Sequence, residues 1–181
     1  MTASVVSSTQ VTNALATPPT YVDIAQSGNG RNSTIMGTIE VATTSIDDVG
    51  DIVVLAEVRG SDRIRSIRVF NDDLDAHATP TLAVDVGLYK SVTAAGTGAT
   101  VVDADAYASA ITTLQAANSS GVEVMCEARD IAKIGKADQT VAVDGGESAH
   151  DDKRYIAMTV TATAATAAAG TVSFIIDIVR G

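Results

Sequence analysis

Residues 81–89 read TLAVDVGLY, and their bulky apolar side chains alternate with small or polar ones. Four of them fall on one face of an extended chain: Leu82, Val84, Val86 and Leu88. This period of two is typical of a β-strand with one buried face. Residues 171–180, TVSFIIDIVR, repeat the alternation with another set of four: Val172, Phe174, Ile176 and Ile178. The two stretches predict a protein built on β-sheets.

Short β-branched runs bounded by polar turns recur along the whole chain. They predict strands at residues 34–42, 51–58, 63–70, 81–89, 122–126, 154–163 and 171–180. Seven short strands separated by turns favour an all-β fold, a β-sandwich of the jelly-roll or Greek-key kind. The composition agrees, because 46% hydrophobic residues with only 3% aromatics leave a core of Val, Ile, Leu, Ala and Thr. Such residues suit pleated sheets.

One stretch departs from the strand pattern. Residues 103–118, DADAYASAITTLQAAN, place Tyr107, Ile111 and Leu114 at the i, i+4, i+7 spacing of a helical stripe. Asp103 stands where a helix N-cap is favoured, and an Asn-Ser-Ser-Gly sequence follows as a stop signal. We therefore expect one amphipathic helix, inserted between strands and covering an edge or end of the sandwich.

The N-terminal segment is rich in Ser, Thr, Ala and Val, contains Pro18 and Pro19, and has no sustained period. The sequence thus predicts two parts, an extended N-terminal arm at residues 1–25 and a β-sandwich domain at residues 26–181. An extended arm of about 20 residues reaches ~60 Å, far enough to lie along a neighbouring subunit. A frayed terminus without a function is the alternative interpretation.

The charge balance argues against a nucleic-acid partner. The chain has 22 acidic and 12 basic residues, a formal net charge of -10, whereas proteins that bind phosphate backbones need clustered Lys and Arg. The single cysteine, Cys126, excludes an internal disulfide. Neither a signal peptide nor a membrane span is recognisable, so we expect synthesis in the cytoplasm and no membrane partner.

Residues typical of catalysis are sparse. His77 and His150 stand in polar loops, without a nucleophile-elbow motif and without the paired spacing of zinc ligands. We therefore expect a protein that is not an enzyme and holds no cofactor. Loop carboxylates at residues 47–51, 71–75 and 144–152 are interpreted as turn formers, with a calcium site as the alternative.

Three arginines occupy one predicted strand: Arg63, Arg65 and Arg68. Strict alternation would place the first two on one face and the third on the other. They either form bidentate ion pairs with the carboxylates of a partner or pair with this chain's own residues 72–75. With Pro18, Pro19 and Tyr21 of the arm, they are the candidate interface residues.

Three stretches together carry a likeness to a known class. They are VVLAEVRGSDRIRSIRVFNDDLDAHATPTLAVDVGLY (53–89), VVDADAYASAITTL (101–114) and RYIAMTVTATAATAAAGTVSFIIDIVR (154–180). Across residues 52–181 the chain resembles small virion structural proteins encoded near the capsid genes of tailed bacteriophages. The resemblance implies a capsid decoration, or cement, protein. Such a protein binds the outer surface of the virion's major capsid protein lattice, without enzymatic activity and often as a homotrimer.

Two other functions stay open at this point. A tail, neck or head-fibre component of the virion would use the same sandwich in a ring or fibre, at a lower copy number per particle. A carbohydrate- or calcium-binding attachment module would need aromatic stacking platforms, for which the chain offers only four tyrosines and two phenylalanines.

Overall fold

The computed structural model describes residues 5–8, 11–12, 15–16, 32–92, 99–127, 140–141 and 153–180. In these residues the strands form a five-stranded sheet of order β1-β3-β8-β5-β6 and a four-stranded sheet of order β2-β9-β4-β7. The strands are β1 (Val5–Ser7), β2 (Asn32–Val41), β3 (Ile52–Arg59), β4 (Arg63–Asn71), β5 (Ala83–Ser91), β6 (Thr100–Ile111), β7 (Asn118–Glu123), β8 (Lys153–Ala162) and β9 (Gly170–Val179). A four-residue helix, α1 (Val124–Glu127), and 3-10 turns at Thr43–Ser45 and Thr113–Gln115 complete the described elements.

The main core lies between the two sheets. The alternating residues of β5 and β9 that the sequence singled out are buried there: Val84, Val86, Leu88, Val172, Phe174, Ile176 and Ile178. These residues share one face of each strand, as the period of two predicts. The all-β class is confirmed, whereas the jelly-roll or Greek-key connectivity stays a prediction. No helix among the described residues is long and apolar enough to cross a membrane.

The prediction of a helix at residues 103–118 is wrong. This stretch forms the rest of strand β6, a 3-10 turn and the start of β7. β6 pairs antiparallel with β5, where Val86 faces Ala108 but Leu88 faces Asp103. Five steps along β6 thus span two steps along β5, and this bulge destroys the alternation that would have marked a strand. Pairing with β5 overrides the local helical pattern, although Tyr107 is buried in the core as its apolar spacing suggested.

The N-terminal arm contains a strand that its sequence did not indicate. Val5–Ser7 pair in parallel with residues 52–54 of the same chain, and the Ser8 N–H donates to the Val54 carbonyl at 2.8 Å. Val11 is fully buried in a second apolar cluster, which lies apart from the main core. This cluster comprises Val11, Val54, Tyr89, Val92, Tyr155 and Ala157, with Leu15, Ile52 and Ala99 packed against it. The described part of the arm therefore packs on its own chain, while the division at residue 25 stays a prediction.

Candidate functional site

The three arginines nominated by the sequence all lie on strand β4, and each is exposed: Arg63, Arg65 and Arg68. The expectation that they point to opposite faces is wrong. Ile64 pairs with Ile178 and Ser66 with Asp177, so β4 carries one extra residue between them. This β-bulge at Arg65 resets the alternation, and it leaves Ile64 buried with exposed arginines on both sides of it.

The solvent-facing side of the four-stranded sheet is lined by pairs of polar side chains. We call it the outer face; its exposed or half-buried residues on β2, β9 and β4 are Asn32, Thr34, Met36, Thr38, Glu40, Thr171, Ser173, Ile175, Asp177, Val179, Arg63, Arg65, Ser66, Arg68 and Phe70. Asp177 joins three strands, since its carboxylate accepts hydrogen bonds from Thr34 Oγ1 at 2.7 Å and Ser66 Oγ at 3.0 Å. Neighbouring strands are also linked by Thr38 and Ser173, whose hydroxyls lie 3.0 Å apart. These cross-strand pairs link the neighbouring strands of the outer face and fix the polar groups that surround the arginines.

An apolar strip crosses the middle of this outer face. Met36, with 61% of its surface exposed, pairs with Ile175, which in turn pairs with Arg68. The strip therefore ends at the guanidinium group of Arg68. Apolar surface beside a group that can form an ion pair is common in protein interfaces.

An open cavity of about 510 Å³ lies at one end of the outer face. It is lined by Asn32, Ser33, Thr34, Arg65, Asp177 and Ile178. The lining offers hydroxyl and amide groups with one cation and one anion, a set that suits a polar side chain of a protein partner.

Arg68 has a carboxylate of its own chain beside it. It pairs in register with Glu123 of β7, and Glu123 Oε1 accepts the backbone N–H of Ile67 at 2.9 Å. Burial raises the pKa of Glu123, against the opposing effects of the Ile67 and Met125 N–H groups and of the Arg68 charge. The intrachain neighbour of Arg68 is thus Glu123 rather than the carboxylates of residues 72–75.

The carboxylates of residues 72–75 anchor loops instead. Asp75 is buried, and its side chain accepts four backbone N–H groups, from Thr81, Leu82, Ala165 and Thr166, at 2.6 to 3.1 Å. Burial raises the pKa of Asp75, but the four donors lower it more and leave it at about 2. The Asp75 carboxylate therefore ties the loop after β4 to the β8–β9 connection.

The described residues show no geometry that supports the metal or catalytic candidates. Among the described residues, no group of three or more His, Cys, Asp and Glu side chains is placed to hold a metal ion. His77 is exposed, and its Nδ1 lies 3.0 Å from the carbonyl oxygen of Thr79 within the same turn. His150, the carboxylates of 144–152 and the arm residues Pro18, Pro19 and Tyr21 lie outside the described residues.

Sequence reasoning missed Asp177, the residue that joins the strands of the outer face. A signal was present, because Asp177 is the one charged residue within the run FIIDIV and an unpaired carboxylate there would be costly. Its position at an outward step of the alternation could have identified this face as polar.

Comparisons with known proteins show the fold of this chain. No family model matches it, and no curated protein matches it. A chain in the solved structure "Capsid of Ralstonia phage GP4" aligns with a TM-score of 0.64 and 21% identity, over 98% of each chain. A chain in "Cyanophage Pam1 capsid asymmetric unit" aligns with a TM-score of 0.56 and 18% identity, over 85% of this chain and 89% of the other. The chain thus shares its fold with components of two phage capsid structures.

Proposed function

We propose that this chain is a non-enzymatic structural protein of a tailed-phage virion, a decoration or cement protein bound to the outer surface of the major capsid protein lattice. The observation that carries the proposal is the alignment over 98% of both chains with a chain of a phage capsid structure. An alignment of this extent takes in nearly all of both chains, so it supports similarity of a whole chain rather than of one common hairpin.

The surface chemistry supports an external position in the virion. A net charge of -10 disfavours contact with packaged DNA and suits the solvent-facing side of a shell. A protein that binds only the assembled lattice stabilises it by mass action, and the effect is repeated at every occupied site. Such stabilisation requires extended surfaces like the outer face and needs no catalytic group.

The candidate contacts with the capsid are the arginines and residues 17–25 of the arm. On the outer face, Arg63, Arg65 and Arg68 lie within six residues of an otherwise acidic chain and would bind carboxylates of the capsid protein. Because the described arm residues up to 16 pack on their own chain, the intersubunit contact would fall to residues 17–25, which include Pro18, Pro19 and Tyr21. A homotrimer at a local three-fold position of the lattice is the proposed assembly.

Copy number and location in purified particles test this function. Virions of the phage that encodes the chain would be quantified by mass spectrometry and imaged with and without the protein. We expect on the order of hundreds of copies, as repeated occupation of a symmetric lattice requires, with density on the outer shell and lower thermal stability of particles that lack it. A few to a few dozen copies at the tail or neck would instead identify a tail, neck or head-fibre component and overturn the decoration role.

Charge-neutralising variants test the arginine contact. The variant with Arg63→Gln, Arg65→Gln and Arg68→Gln should occupy fewer sites on particles that lack the native protein. Lys90→Gln, which removes an exposed charge on β5 in the other sheet, is the matched control and should retain full occupancy. Equal occupancy of both variants would exclude the arginines from the interface.

Replacing residues 17–25 with a Gly/Ser segment of equal length tests the arm. This change retains β1 and Val11, which pack on the domain, so loss of particle binding would not reflect loss of that packing. Unchanged occupancy would remove the arm from the interface.

A further inference from the structure

The buried anchor of the N-terminal arm lies outside the main core. Val11 is fully buried in the second apolar cluster, and Leu15 packs against that cluster. Three neighbouring strands of the five-stranded sheet supply most of the cluster's other residues: Val54 of β3, Tyr89 of β5, and Tyr155 and Ala157 of β8. Of the described arm residues, half-buried Val6 alone packs against the main core. The core between the sheets is therefore closed without the residue that anchors the arm.

Few backbone hydrogen bonds attach the described part of the arm to the sheet. β1 lies at one end of the five-stranded sheet, and its pairing with β3 covers three residues. The Ser8 N–H adds a bond to the Val54 carbonyl at 2.8 Å, and the Ser8 carbonyl accepts the N–H of Thr12 at 2.9 Å. Ser8 Oγ accepts the N–H of Val11 at 3.4 Å. Ser8, which is fully buried, thus joins the paired part of the arm to the turn that carries Val11.

The arm and the central strands differ in what holds them. β9 pairs with β2 along ten residues and contributes four side chains to the main core, so its separation opens the whole domain. Separation of β1 from β3 breaks a pairing of three residues at the end of a sheet and disrupts the second cluster. Segments with few buried apolar contacts open locally, at a lower free energy than global unfolding.

We propose that the described arm residues 5–8, 11–12 and 15–16 form a strap, which opens and closes on the five-stranded sheet as a unit while both sheets stay folded. Closure buries Tyr89 and Tyr155 beside Val11. The closed strap also fixes the point from which residues 17–25 continue the chain. This second role rests on the capsid contact proposed for residues 17–25, whereas the opening of the strap does not.

Hydrogen exchange of the purified full-length chain tests the separate opening. The Ser8 and Thr12 amides report on the strap, and the amides that join β4 to β9 report on the sheets. We expect the strap amides to exchange faster and with a weaker dependence on urea, because opening the strap exposes less surface than unfolding does. Equal rates and equal urea dependence in the two sets would overturn the proposal.

Two fully buried valines provide a matched pair of variants, Val11→Ala in the strap and Val172→Ala in the main core. Val172→Ala should speed exchange between β4 and β9 about tenfold and leave the Ser8 and Thr12 rates unchanged, because the main core stays packed whether the strap is open or closed. Val11→Ala should speed the Ser8 and Thr12 amides about tenfold, because it weakens the closed strap. If Val172→Ala speeds both sets equally, the arm and the sheets open together, and the strap is not a separate unit.

Val11→Asp tests the second role, because burial of a carboxylate in the apolar cluster is costly enough to hold the strap open. The variant should keep the β4–β9 amides protected, lose protection at Ser8 and Thr12, and occupy fewer sites than the wild type on particles that lack the native protein. Thr12→Asp adds the same charge at an exposed position of the arm and is the control, with a closed strap and full occupancy.

The outcomes for Val11→Asp separate the two roles of the strap. Full occupancy by this variant would remove the positioning role, and unprotected β4–β9 amides would contradict the separate opening. A wild type that does not bind particles would refute the capsid function together with the positioning role, while the exchange rates would still decide whether the strap opens by itself.

Discussion

The carboxylate of Asp62, which is completely buried, pairs with the guanidinium of Arg180 at 2.8 Å between Oδ2 and Nη1. Asp62 lies in the turn between β3 and β4, and Arg180 follows β9. The same carboxylate accepts the backbone N–H of Arg59 at 2.9 Å, while the Asp62 carbonyl accepts the N–H of Val141 at 2.7 Å. One side chain thus joins the turn between the sheets to the end of the last strand.

Breaking this pair should destabilise the fold strongly. Arg180→Gln leaves the Asp62 charge buried without its counter-ion, and we expect a loss of about 3 kcal/mol in the free energy of unfolding, measured by urea denaturation. Adding Asp62→Asn to that variant should recover much of the loss, because no charge then remains buried. Lys153→Gln, which breaks the pair of an exposed lysine with Glu57, is the control and should cost less than about 1 kcal/mol. Equal effects of the two single variants would contradict the assignment.

The Asp75 anchor should make stability depend on pH in acid. Its pKa of about 2 lies below the ordinary 3.8, so its contribution is fully present above about pH 4 and is lost as the pH falls toward 2. Asp75→Asn should cost about 2 kcal/mol at neutral pH, because an amide cannot accept all four backbone N–H groups. The difference in unfolding free energy between this variant and the wild type should shrink between pH 4 and 2. Asp47→Asn, at an exposed turn, should cost much less at neutral pH; a pH-independent difference for Asp75→Asn would refute the anchor.

A side chain at Gly87 should disrupt the β5–β6 pair. A Cβ atom there would clash with the carbonyl oxygens of Asp103 and Ala104, which are backbone atoms of the β6 bulge. Gly170→Ala meets side chains instead, with Asp72 Cβ at 2.8 Å and Leu74 Cδ2 at 2.9 Å. Because side chains shift more easily than backbone, Gly87→Ala should lower the melting temperature more than Gly170→Ala. The reverse order in calorimetry would argue against the close approach of the two strands.

Tyr155 should keep its phenolic proton to a higher pH than an ordinary tyrosine does. Burial, the charge of Glu57 and a hydrogen bond to Glu57 together raise the pKa of Tyr155 to about 12. Because the folded state holds this proton more tightly than the unfolded state, stability should fall as the pH rises from about 10 to 12. Glu57→Gln should lower the Tyr155 pKa in an NMR titration of the ring carbons, whereas Glu40→Gln, on the other sheet, should leave it unchanged. A wild-type Tyr155 that titrates near 10 would contradict this environment.

The strands that were predicted correctly have an alternating apolar pattern within their own sequence. Predicted residues 81–89 and 171–180 overlap β5 and β9, because bulky apolar residues alternate along both strands and face the main core. β1 gave no such signal, since three residues show no period and their pairing depends on β3, more than forty residues away. β6 was misread because its register against β5 shifts repeatedly, which removes the alternation while Tyr107 and Ile111 remain buried at a helix-like spacing.

The sequence identified residues of the candidate site, but it did not predict how they are arranged in space. Arg63, Arg65 and Arg68 could be nominated from charge alone, yet the face they share depends on a bulge that exists only in the pairing of β4 with β9. The role of Asp177 likewise depends on Thr34 and Ser66, which reach it from two other strands. Contacts between residues more than a hundred positions apart leave no periodic trace in a single sequence.

The strand order also dictates when the chain can fold during its synthesis. β8 joins β3 to β5, and β9 joins β2 to β4, so the two latest strands hold the central bonds of both sheets. Until residues 153–180 have left the ribosome, β3 and β5 have no shared neighbour, and the same is true of β2 and β4. Folding is therefore delayed until residues 153–180 have been synthesised, and a shortened product that lacks these strands would expose pairing edges and aggregate rather than form half a domain.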